Sequence, residues 1–192
     1  MNSEAGTNWN LWLDDYYRRY APVTQSKEVY ESLIKFRDLA LAVKASKSKL
    51  MMGGNGASAS IAAHGAVDFT KQAKVTSLTF SDANLITCFA NDYGYDNWLA
   101  RAFEHYGRPG DAAVLISVSG KSPSVVRAAE YAREQKMPVV TFTGKSADNP
   151  LRKLGDINFF IDSAAYNVVE CIHMIWLTTV VDMVVGRAEY SV

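Results

Sequence analysis

The 192-residue sequence predicts an α/β domain, a parallel sheet covered by helices on both faces. Three observations predict it. From Lys49 onward, short β-branched or apolar runs alternate with helical patterns. Gly107, Gly110, Gly120 and Gly144 fall at the joints between them, where turn chemistry puts glycine. The length and an ordinary hydrophobic content suit one domain, 1–192, with a full core.

The elements follow in order. Two helical patterns, 8–22 and 26–49, come first, with Pro22 between them and Ser26 with Glu28 as the start of the second. A strand is expected at 49–53 and a helix at 58–72. A strand at 75–80, a helix or loop at 83–94 and a helix at 96–107 follow. Next come a strand at 112–118, a helix at 122–135 and a strand at 138–144. After a short turn, a strand at 157–162 leads into a last helix. This divides the domain into N-terminal helices, 1–48, and an α/β core, 49–192.

Composition excludes some functions. The formal net charge is zero and no basic block stands out, which argues against binding duplex nucleic acid. The polar start, MNSEAGTNWN, lacks the order of a signal peptide. The most apolar segment, NVVECIHMIWLTTVVDMVV, carries Glu170, His173 and Asp182, so it reads as a buried helix and not a membrane span. The two cysteines, Cys88 and Cys171, lack metal-type spacing and read as free buried thiols of a cytoplasmic protein.

The chemistry is expected at strand ends, since open parallel sheets bind ligands there. One apolar run ends in Ser117-Val118-Ser119-Gly120-Lys121-Ser122, immediately before a helix. A helix N-terminus offers unpaired N–H groups and the positive end of a dipole. Three hydroxyls would add neutral donors, and Gly120 would let the backbone approach a ligand. A single serine here would be a plain N-cap; S-x-S-G-x-S reads as a phosphate site. Neither nucleotide-loop pattern, G-x-x-x-x-G-K-[ST] or G-x-G-x-x-G, is present. A second strand-loop-helix joint, Gly53-Gly54-Asn55-Gly56-Ala57-Ser58, could bracket the same small phosphorylated ligand.

Two helices carry ionisable pairs. His64 and Asp68 are four apart; Glu170 and His173 are three apart; each pair shares a helix face. Such pairs bind a divalent metal or run acid–base chemistry. Asn91 and Asp92 read as turn formers that could also reach a ligand hydroxyl.

Together, MGGNGASASIAAH…D, DANLITCFANDYGYDNW, LISVSGKSPSVVRAAEYAREQKMPVVTFTG and NPLRKLGDINFFI…YNVVECIH resemble the sugar isomerase (SIS) domain family, in its phosphoheptose isomerase branch. The resemblance covers about Glu28 to Gly186. It implies a three-layer fold with a flavodoxin-like sheet, and a cytoplasmic homotetramer whose N-terminal helices pack between subunits with active sites at their boundaries. The aromatic start (Trp9, Trp12, Tyr16, Tyr17, Tyr20) suits such an interface, or packing on its own domain. The resemblance assigns phosphate binding to Ser117, Val118, Ser119 and Ser122, and the rest of the substrate to Asn55, Gly56, Ala57, Ser58, Asn91 and Asp92.

It also implies a zinc or acid–base set, which here is altered. The family has a His and a Glu four apart where this chain has His64 and Asp68. Asp is shorter by about 1.5 Å, one carbon–carbon bond, a displacement that can cost roughly a hundredfold in rate. Glu170 matches a family Gln or Glu, but the His expected eight residues later is Thr178. The expected catalytic residues are therefore Asp68, Glu170 and His173, and the expected metal ligands His64, Asp68 and Glu170. The implied reaction is aldose–ketose isomerisation of sedoheptulose 7-phosphate, feeding heptose for lipopolysaccharide or capsule. The alternative is a non-catalytic sugar-phosphate sensor or protein-binding adaptor.

Overall fold

The computed structural model describes residues 7–190; the signal-peptide reading of the first six residues lies outside them. The described chain runs α1 (Trp9–Arg18), α2 (Ala21–Thr24), α3 (Tyr30–Ala45), β1 (Leu50–Gly53), α4 (Ala57–Lys71), β2 (Ser77–Thr79), α5 (Ala83–Tyr93) and α6 (Trp98–Tyr106). It continues with β3 (Ala112–Ser117), α7 (Pro123–Glu134), β4 (Val139–Gly144), α8 (Pro150–Leu154), β5 (Ile157–Ile161) and α9 (Tyr166–Val185). All strand pairs are parallel, in the order β2-β1-β3-β4-β5.

That order puts the topological switch between β1 and β3, where connections leave the sheet in opposite directions and open a crevice. Both glycine- and serine-bearing loops leave the sheet there.

Successive side chains of a strand point to opposite faces, and here both faces are dry. Leu50, Met52, Val114, Ile116, Val140 and Phe142 join the cluster under α3, α4 and α9. Met51, Ala113, Leu115 and Val139 join the cluster under α6 and α7. At Gly65 an added Cβ would lie 2.4 Å from Leu177 Cδ2. The absent side chain thus lets α4 press against α9, side by side with the helix that carries Glu170. By length and composition α9 could cross a bilayer, but its Val168, Val169, Ile172, Trp176, Leu177, Val180 and Val181 are buried in the first cluster.

Several expectations are corrected. The first helical pattern breaks into α1 and α2, and α3 starts at Tyr30, without a side-chain cap, instead of at Ser26. Ser26 Oγ accepts from Glu28 N in the preceding turn. Segment 83–94 is a helix capped by Asp82, and the short turn contains α8, capped by buried Asn149. Both cysteines are exposed, not buried. None of α1's residues is buried; its own-domain contact is made by Tyr16, with Tyr20 beyond it, while Trp9, Trp12 and Tyr17 face outward.

Candidate active site

A cavity of ≈ 90 Å³ at the carboxyl ends of β1 and β3 is lined by Asn55, Ser58, Ile116, Ser117, Val118, Ser119, Ser122, Tyr166 and Glu170. It is far smaller than the 300–1,000 Å³ typical of a whole drug-sized ligand. It therefore suits one compact polar group with the remainder of a ligand outside.

The two loops meet because glycine allows it. A Cβ at Gly54 would sit 2.9 Å from Ile116 O and 2.8 Å from Ser58 Cβ, so the first loop lies directly on the end of β3. Asn55 then bridges the loops: its Nδ2 donates to Ser124 Oγ (3.0 Å) and its Oδ1 accepts from Tyr95 Oη (3.3 Å). In the serine loop, Ser117 Oγ donates to Ser122 Oγ (3.3 Å) and Lys121 N donates to Ser119 Oγ (3.2 Å). Ser122 is the N-cap of α7 yet makes no capping hydrogen bond. Pro123 has no N–H, and Val125 N and Val126 N donate to Ser122 O, so the first turn offers the cavity the Ser124 N–H, beside the hydroxyl hydrogen of Ser122, a small donor set of the kind that holds an anion.

Gly120 has a different job from the expected one. It adopts φ +62°, and a Cβ there would fall 2.0 Å from Asn149 Oδ1. The space it spares is filled by Asn149, which caps α8 through Arg152 N, and not by a ligand. Gly56 and Ala57 lie exposed beside the cavity and do not line it. Asn91 and Asp92 are also not brought in. They occupy the last turn of α5, where Asn91 Nδ2 donates to Asp92 Oδ1. Their segment reaches the site through Tyr95 instead.

The acid–base candidates separate. Glu170, half-buried, lines the cavity. His64 and Asp68 pair with each other, Nε2 to Oδ2 at 3.1 Å, about 9 and 15 Å along α4 from Ser58 at 1.5 Å per residue. His173 is corrected: it is fully buried, its Nε2–H donates to Thr143 O (3.1 Å), and its ring meets Phe142 edge-on. Burial lowers its pKa to about 4, which keeps it neutral and out of acid–base work. It pins α9 to the end of β4. The expected metal ligands are not gathered within this chain. No group of three His, Cys, Asp or Glu comes together among the described residues, so His64, Asp68 and Glu170 do not fit a zinc site within one chain. Thr178, at the position of the family His, spends its hydroxyl on Met174 O.

Sequence reasoning missed Tyr95, Ser124 and Tyr166. Ser124 alone had a local signal, two residues past Ser122 at the helix start.

Two SIS domain profiles match residues 16–144 and 105–189. The chain belongs to the SIS domain family. Among relatives, the phosphoheptose isomerase of Fusobacterium nucleatum is 34% identical over 139 residues, 70% of this chain and 71% of that protein. The phosphoheptose isomerase of Chlorobium phaeobacteroides is 35% identical over 153 residues, 74% of this chain and 67% of that protein. Among solved structures, the phosphoheptose isomerase of Neisseria gonorrhoeae superposes with a TM-score of 0.85 at 23% identity, covering 93% of this chain and 98% of that one. The relatives place this SIS domain in the phosphoheptose isomerase branch, and the superposition gives the same fold.

Proposed function

We propose that the protein is a sugar-phosphate aldose–ketose isomerase acting on sedoheptulose 7-phosphate. The observation that carries this reading is a carboxylate, Glu170, in the same cavity as the serine loop. The names of the relatives support the seven-carbon substrate.

In this reading Ser117, Ser119, Ser122 and the Val118 and Ser124 amides hold the phosphate, and Asn55 and Ser58 hold the chain next to it. Glu170 takes a proton from C1 of the ketose while His64, held by Asp68, gives one to the C2 oxygen. The enediol forms. Glu170 returns its proton to C2, His64 takes back the proton of the C1 hydroxyl, and the aldose results with both groups restored. Zinc at His64–Asp68 would need donors from a second subunit, and the steps above do not pass through it. A homotetramer with residues 1–48 at its contacts is part of the same reading, supported by the outward aromatic face of α1. So are a cytoplasmic location and a place in heptose synthesis for surface polysaccharide.

The test is incubation with sedoheptulose 7-phosphate in D2O, followed by NMR. Deuterium at C1 or C2 together with an aldose phosphate supports the isomerase. Binding without exchange, with or without zinc, supports the sensor reading, which Thr178 in place of the family His favours.

A further inference from the structure

The cradle has a charge problem. Its lining donors are neutral, its one ionised residue is Glu170, and no Lys or Arg lines it among the described residues. A phosphate dianion there would sit beside a carboxylate with no cation to balance either, and like charges in a partly dry site repel strongly. Two lysines are near enough to matter. Lys121 is in the serine loop, but its charge acts on Asp148, whose pKa it helps lower, on the α8 side. Lys145 differs. It follows β4 directly, and β4 pairs with β3 up to Thr143 opposite Ser117. Gly144 N donates to Val118 O (2.9 Å) inside the serine loop, and Lys145 N donates to Ser163 O (3.0 Å). The backbone of Lys145 is thus tied to the cradle on one side and to the start of α9 on the other. Its Nζ stands 4.1 Å from the ring centroid of Tyr166, a residue that lines the cavity. Its exposed side chain has no carboxylate partner among the described residues.

We propose that Lys145 is the countercharge of the substrate phosphate, parked on the face of Tyr166 at the mouth of the serine cradle. The cation–π contact is weak at an exposed site. It holds the ammonium close without the desolvation and competition of an ion pair, so the phosphate can take it over. Glu170 and the phosphate are then tolerated together because a cation stands between the cavity and solvent. This inference rests on the phosphate reading of the serines.

The experiment is calorimetric titration of the full chain with sedoheptulose 7-phosphate, for the unaltered protein, Lys145→Gln, Lys145→Arg and Lys121→Gln, with thermal melts to confirm folding. Removing a hydrogen bond to a charged group should weaken binding at least about tenfold, so Lys145→Gln is expected to raise Kd by that much. Lys145→Arg should stay within about threefold, and Lys121→Gln should match the unaltered protein. Binding by Lys145→Gln within twofold of a tightly binding parent would overturn the role of Lys145 and leave the cradle intact. Equal losses in Lys121→Gln and Lys145→Gln would also overturn it, by pointing to general surface charge. A parent that binds no sugar phosphate would overturn the cradle reading, and this inference with it.

Discussion

Replacing Gly120 by alanine tests how the serine loop is held. Gly120 sits at φ +62°, and an added Cβ would lie 2.0 Å from Asn149 Oδ1 and 2.2 Å from its Cγ. An L-residue in this left-handed conformation costs about 1–2 kcal/mol. The clash cannot be relieved by a simple rotamer change, because Asn149 is fully buried, caps α8 by accepting from Arg152 N and donates through Nδ2 to Ser146 O. Expelling it removes a cap worth about 1 kcal/mol and strands buried polar groups at about 1–3 kcal/mol. The expected total is about 4 kcal/mol. For a domain of this size that lowers Tm by roughly 8–16 °C. In an Asn149→Gly background the clash is gone, since all three atoms it involves (Oδ1, Cγ and Cβ) belong to the Asn149 side chain, and Gly120→Ala should cost only the backbone part, about 1–2 kcal/mol. Calorimetric or fluorescence melts of the four proteins measure this cycle. A Tm for Gly120→Ala within 2 °C of the parent, or equal losses in both backgrounds, would refute the argument that Asn149 occupies the space glycine spares.

Other outcomes follow from the same contacts. Glu170→Gln should lower turnover by about 100- to 10,000-fold while sugar-phosphate affinity, measured by titration, is held or improved, because the cavity loses its negative charge. His173 carries a pH signature. Its folded pKa of about 4 lies below its ordinary value of 6.5, so its stabilising share is present above pH 6.5 and is lost as pH falls toward 4. Between pH 7 and pH 5 that loss is about 2 kcal/mol. Urea unfolding at the two pH values should show the drop in the parent and not in His173→Leu. Asp111→Ala removes the carboxylate that accepts from Lys49 N, Lys49 Nζ and Arg108 N. Breaking this buried pair where β1 and β3 begin should cost about 3–5 kcal/mol, read by denaturant midpoint, with the parent's catalytic pH profile retained in whatever fraction folds.

Much of the site was legible in residues close together in the chain. The serine loop could be read because a strand end, a proline-started helix and three hydroxyls all fall within a few residues. His64 and Asp68 were legible as a pair because a helix fixes neighbours four apart, and they do meet. The same rule misled at Glu170 and His173. Three residues turn a helix through about 300°, which leaves the two side chains roughly 60° apart. That angle is enough for one to reach the crevice and the other to sink under β4. Asn91 and Asp92 failed for a related reason: the polar segment enters the site through Tyr95, and nothing local says which of its residues points inward.

The sequence by itself determined the alternation of strands and helices, the two strand-end loops and the chemistry they bear. All of these depend on local backbone preference and on periodicity within one element. Tertiary structure decided which loops meet, since β1 and β3 become neighbours only through the 2-1-3-4-5 order. It also decided what Gly120, His173 and Lys145 do. Each acts on a residue distant in the chain, and a side chain's partner across a packed interface is set by the relative placement of whole elements.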